Sequence, residues 1–71
     1  MTEIKIRETD EFIKLGQLMK KANWVSSGVE AKVYIQDGEV TVNGEVDTRR
    51  GRKLYDGDVV EYNGETVKVV R

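Results

Sequence analysis

The chain has 71 residues, a formal net charge of −1, no cysteine and no histidine. Disulfides, thiolate chemistry, the commonest metal ligand and the commonest near-neutral general base are therefore excluded. So short a chain has room for one small core and none for a buried cleft with its supporting shell, so one domain over residues 1–71, without catalysis or cofactor, is expected.

Ile4 and Ile6 alternate with Lys5 and Arg7, which suits a short first strand. Thr9 or Asp10 can cap a helix behind it. Phe12, Leu15, Met19 and Ala22, with Leu18 beside them, fall at helical spacing and predict a first helix over about residues 11–22. Lys14, Gln17 and Lys21 share another face of it, and Asn23 is a fair left-handed stop. Ser27-Gly28-Val29-Glu30 has the form of a capping box and starts a second helix. Its inward stripe is Ala31, Tyr34 and Ile35; Gly28, Lys32 and Gln36 form the stripe beside it, and Gly38 ends it.

From Glu39 the period changes to two. Val40 and Val42 alternate with polar residues up to Asn43-Gly44, a strong hairpin signal that Asp56-Gly57 and Asn63-Gly64 repeat. Val59 to Tyr62 and Thr66 to Val70 read as further strands. The expected fold class is α+β. Two packed helices lie against a small twisted, mostly antiparallel sheet of four to five short strands, because neither helix can bury its stripe alone. Trp24 reads as a buried anchor of the inter-helix loop, Tyr34 as core, and Tyr55 and Tyr62 as sheet packing. No apolar run approaches the roughly 18 residues of a membrane span, and Met1 to Lys5 has no signal-peptide character, so a cytoplasmic location is the default.

The charge is unevenly distributed. Residues 1–13 carry two basic and four acidic side chains, residues 14–53 eight and five, and residues 54–71 two and four. The middle is thus +3 and the ends together −4. Arg49-Arg50-Gly51-Arg52-Lys53 sets four cations in five positions. Each cation also has an ordinary reading. Lys32 could be a solvated helix lysine. Arg50 and Arg52 could pair with Asp47 or Asp56. Lys20 and Lys21 suit the dipole at a helix C-terminus.

Ser27, Ala31, Lys32, Ile35, Gly38, Val40, Val42, Asn43 and Gly44, closed by Gly57-Asp58-Val59-Val60, resemble the RNA-binding domain named after ribosomal protein S-four, also called the αL motif. The family core spans about residues 12–62. Leu15-Gly16-Gln17, Ser27-Gly28 and Asp47 to Leu54 look like its free-standing YaaA-like subfamily. One departure from the wider family is Gly28, where an RNA-facing arginine is common. The resemblance implies binding to structured RNA, ribosomal or transfer RNA, with the ribosome as a candidate partner. It also implies that the second helix and the segment after the hairpin lie side by side. Lys20, Lys21, Lys32, Arg49, Arg50, Arg52 and Lys53 would then form one basic face. Such a face is what polyphosphate binding requires, since cations that neutralise phosphates release counterions, and arginine's planar fork grips phosphate bidentately. A monomer that needs neither metal nor membrane is expected. The alternative reading is a protein-interaction module using the same face on an acidic partner, which the sequence pI near 5.4 favours.

Overall fold

The computed structural model describes residues 1–71. Strand β1 is Thr2–Lys5, β2 Ile13–Lys14, helix α1 Leu15–Lys21 and helix α2 Gly28–Gln36; β3 is Val40–Val42, β4 Glu45–Val46, β5 Lys53–Leu54, β6 Val59–Tyr62 and β7 Glu65–Val70. Five strands form one sheet in the order β1-β7-β6-β3-β4, parallel only between β1 and β7. Strands β2 and β5 form a separate antiparallel ribbon. The α+β architecture expected from the sequence is the one observed. No helix is long and apolar enough to cross a membrane.

Two hairpins build most of the sheet. Asn43-Gly44 turns β3 into β4 and Asn63-Gly64 turns β6 into β7, with φ of 52° and 86° in the first and 52° and 80° in the second. Both central residues lie in the left-handed region that a two-residue turn of this kind demands. Period-two patterning then puts Val40, Val42, Val60, Val67 and Val69 on the inward face. The helices cover that face with Leu15, Leu18, Met19, Ala31 and Ile35, and all ten residues belong to one core cluster. Trp24 and Tyr34 close one end of it by packing on Tyr62, with ring centroids 5.5 and 5.6 Å away.

Three sequence expectations need correction. Helix α1 starts at Leu15, so neither Thr9 nor Asp10 caps it and Phe12 is not on it. Ile13 and Lys14 are drawn into the ribbon instead, opposite Leu54 and Lys53. Ile13 and Leu54 are both buried, and their burial outweighs the weak helical periodicity upstream. The Asp56-Gly57 turn closes no hairpin, because β5 and β6 lie in different sheets. Tyr55 follows the ribbon and is 47% exposed, so it does not pack in the sheet. Helix α2 follows the sequence reading closely. The Ser27 hydroxyl accepts the Glu30 N–H at 3.2 Å, and Gly38 leaves the helix at φ 78°. The return arm of the capping box lands one residue early, since the Glu30 carboxylate accepts the N–H of Ser26 at 3.2 Å.

Candidate nucleic-acid interface

The first N–H groups of a helix have no partner within it. At α1 the arginine segment supplies the acceptors. The Leu15 N–H donates to the Arg52 carbonyl at 2.9 Å and the Gly16 N–H to the Arg50 carbonyl at 3.0 Å. The segment itself closes as a turn in which the Arg52 N–H donates to the Arg49 carbonyl at 3.1 Å. With these carbonyls committed to the helix, the turn packs on the start of α1 and the Arg50 side chain runs beside Gly16. The approach needs glycine at position 16, where a Cβ would sit 2.8 Å from Arg50 Cγ.

Asp47 holds the same turn from the other side. Its side chain is 7% exposed. One carboxylate oxygen accepts the Arg49 backbone N–H at 2.9 Å and Nε at 3.1 Å. The other accepts Nη2 of Arg49 and Nη1 of Arg52, each at 2.8 Å. Hydrogen bonding by Arg49, reinforced by Arg52, holds the Asp47 carboxyl far below the usual carboxylate range against the cost of its burial. The same contact raises the Arg49 guanidinium, through its hydrogen bond to Asp47. These are the only ion pairs in the structure. One carboxylate offsets two guanidinium groups, so the turn keeps a net positive charge, and Arg49 remains 69% exposed.

Two hollows adjoin at Gly51. The first, of about 290 Å³, is lined by Lys14, Lys20 and Arg50 together with Gln17. Gly16, Gly28 and Gly51 complete it, and it contains neither a carboxylate nor an apolar side chain. The second is lined by Arg49, Gly51, Arg52 and Lys53. Lys32 is exposed on α2 one turn beyond Gly28, hence on the neighbouring patch of the same helix face. Lys21 points elsewhere. Its ammonium donates to the Lys5 carbonyl at 2.9 Å, and with Lys20 and Arg7 it lines a different hollow beside Asp10. The Lys53 ammonium lies 4.9 Å from the centroid of the Phe12 ring.

Of the cations singled out in the sequence, the fold gathers Lys20, Arg49, Arg50, Arg52 and Lys53 around the arginine turn. It sets Lys32 beside them and turns Lys21 toward β1. Sequence reasoning missed Lys14, which the ribbon places opposite Lys53. Lys14 is the only cation in residues 14–53 that was left out, and a helical placement hid its role.

The S4 domain family model matches residues 4–70. The chain belongs to the S4 domain family. It is 56% identical over 54 residues to the "Probable ribosome maturation protein RlbA" of Bacillus subtilis strain 168, a match covering 76% of each chain. It is 40% identical over 58 residues to YbcJ of Escherichia coli K12, covering 82% of this chain and 83% of that one. The E. coli YbcJ structure, described as revealing an αL motif involved in RNA binding, superposes with a TM-score of 0.75 at 34% identity, covering 100% of this chain and 89% of that one. An S4 domain with its arginine turn docked on the start of α1 thus presents a preformed, cationic and uncrowded surface.

Proposed function

We propose that this S4 domain is a cytoplasmic, non-catalytic module that binds structured RNA, ribosomal or transfer, by its backbone. The groove of Lys14, Lys20 and Arg50 engages the phosphates, flanked by Lys32, Arg49, Arg52 and Lys53. The observation that carries this reading is that three cations without a carboxylate partner line a groove whose other walls include three glycines. Glycine permits close approach of backbone to ligand, and guanidinium and ammonium groups are the natural phosphate partners. Double-helical RNA buries its base edges in a deep groove, so recognition by shape and phosphate position suits a rigid patch of this kind. The names of the relatives, one a ribosome maturation protein and one tied to RNA binding, support a ribosomal RNA target. A monomer over residues 1–71 suffices for this role, since the groove is built from one chain.

The test is the salt dependence of binding to an RNA hairpin. Engagement of three to five phosphates gives a slope of log K against log salt of about −2 to −4. Replacing Lys14, Lys20 and Arg50 together by Ala flattens the slope by about 2 to 3, most of its parent value, and weakens binding by about a thousandfold, taking about tenfold for each charged contact. A flat salt response in the parent, or unchanged binding in the triple variant, would overturn the proposal.

A further inference from the structure

The ribbon carries a second recognition element beside the phosphate groove. In an antiparallel pair, side chains alternate between faces, and partners opposite one another share a face. Ile13 and Leu54 point inward and are buried. Lys14 and Lys53, next along the register, therefore point outward on one side of that pair. Phe12 and Tyr55, flanking it on the other side, continue the same outer face. Their rings meet at a centroid distance of 6.1 Å and a tilt of 55°. Phe12 is half-buried, with Lys53 over its ring, whereas Tyr55 remains 47% exposed.

Tyr55 is also held in place. Its backbone N–H donates to the Asp58 carboxylate at 2.8 Å, its carbonyl accepts the Asp58 N–H at 3.0 Å, and Asp58 is tied in turn to Asn43 at 3.0 Å. An exposed aromatic ring on a fixed backbone loses little freedom when a flat partner settles on it. Lys14 links this ring pair to the groove, because it lines the groove and stands two residues from Phe12 on the same face, about 7 Å along the strand. Acidic residues border this face as well, since Asp10 and Glu11 share a hollow with Phe12 and Lys14. Asp56 accepts the Arg71 backbone N–H, and the Arg71 guanidinium reaches the carbonyls of Asp10 and Glu11.

We infer that Tyr55, backed by Phe12, is a stacking platform for one unpaired base of the RNA whose neighbouring phosphates lie in the Lys14–Lys20–Arg50 groove. An aromatic face beside two lysines matches the chemistry of a nucleotide, a flat base joined to an anion. The inference rests on the RNA-binding reading above and adds a preference to it. The domain favours a helix that ends in, or is interrupted by, a single-stranded nucleotide.

The experiment compares three probes: a blunt RNA hairpin, the same hairpin with a three-nucleotide overhang, and that overhang with its bases removed but its phosphates kept. The parent protein is expected to bind the overhang about five- to tenfold more tightly than the blunt hairpin, the low end of what one stacked base contributes. The abasic overhang should fall back to the blunt value. Tyr55→Ala should erase the preference while leaving blunt-hairpin affinity unchanged, and Tyr55→Phe should keep it. Equal binding of the three probes by the parent, or an intact preference in Tyr55→Ala, overturns the inference and leaves the groove proposal standing. Failure of the parent to bind any probe overturns both.

Discussion

The five-stranded sheet and the two-stranded ribbon differ in how their register is set. Two of the sheet's four pairings, β3 with β4 and β6 with β7, join sequence neighbours through Asn-Gly turns, and the long-range pairings of β1 with β7 and β3 with β6 build on those hairpins. The ribbon joins residues roughly forty positions apart, through two residue pairs only. Exposed charge follows the same division. The strands of the sheet carry Glu3, Glu45, Glu61 and Glu65 at exposed positions, against Lys5 and Lys68. The ribbon, the arginine turn and α1 carry the groove cations. A net charge of −1 therefore hides a molecule with one basic side, and the potential of a face follows local placement, not the sum. Cohesion comes from the sheet, while the proposed recognition surface hangs on a few long-range contacts.

That division can be broken most forcefully at Leu54, which has no exposed surface and anchors the ribbon. Leu54→Ala should cost about 2–5 kcal/mol of stability, the range for truncating a buried leucine. Urea unfolding followed by Trp24 fluorescence measures this. Hydrogen exchange should show the Leu15 and Gly16 amides losing protection before the β6–β7 amides. Equal loss at both places would mean that the ribbon and the sheet are one cooperative unit.

A smaller effect is expected at Asp47. Asp47→Ala leaves Arg49 and Arg52 without their shared acceptor and should destabilise the domain by about 1–3 kcal/mol. Because the folded state depresses the Asp47 pKa, its contribution is fully present above the unfolded value near 3.8 and is lost as pH falls below it. Asp47→Asn should therefore flatten the acid limb of the stability profile below pH 4 and leave the neutral region nearly parallel to the parent. A parallel acid limb in Asp47→Asn would assign the acid loss to other carboxylates.

These two sites also mark where the sequence could and could not be read. Helix α2, its Ser27 cap, its Gly38 exit and both Asn-Gly hairpins were legible because each is fixed by residues within a few positions of one another. The start of α1 was not. Phe12 happens to fit the helical stripe of Leu15 and Met19, and nothing local reveals that Ile13 will find Leu54. Lys14 was lost with it. The arginine segment was recognisable as a charged cluster, but its carbonyl contacts to α1 and its grip on Asp47 are tertiary. Pairing of Arg52 with Asp47 was one of the ordinary readings open in the sequence. The segment's bidentate member proved to be Arg49, leaving Arg50 free for the groove.

Gly16 probes whether Arg50 acts by position or by charge alone. A methyl group there would meet Arg50 Cγ at 2.8 Å and Arg50 Cδ at 3.4 Å, so the side chain must shift. Gly16→Ala should weaken RNA binding by about tenfold, the scale of one displaced charged contact. Helix propensity favours alanine by up to about 1 kcal/mol, which offsets part of the steric cost in stability. Unchanged affinity with the same melting temperature would show that Arg50 finds phosphate from either position.

Gly28 offers the gentlest test, and it works by gain. A Cβ at this position meets nothing within 4 Å, and the residue both lines the groove and opens α2. Gly28→Arg adds a fourth cation to a groove that already holds three, without crowding any neighbour. Affinity for an RNA hairpin should rise by about threefold to tenfold, and the salt slope should steepen by nearly one phosphate. Stability should change little, because arginine's better helix propensity is offset by placing a cation at the helix N-terminus. If the added charge strengthens binding of blunt and overhanging hairpins alike, groove and ribbon contribute separately, one reading phosphates and the other a base. If it strengthens neither, the groove does not face the RNA, and the second hollow, where Arg49 and Lys53 lie on the far side of Gly51, becomes the place to look.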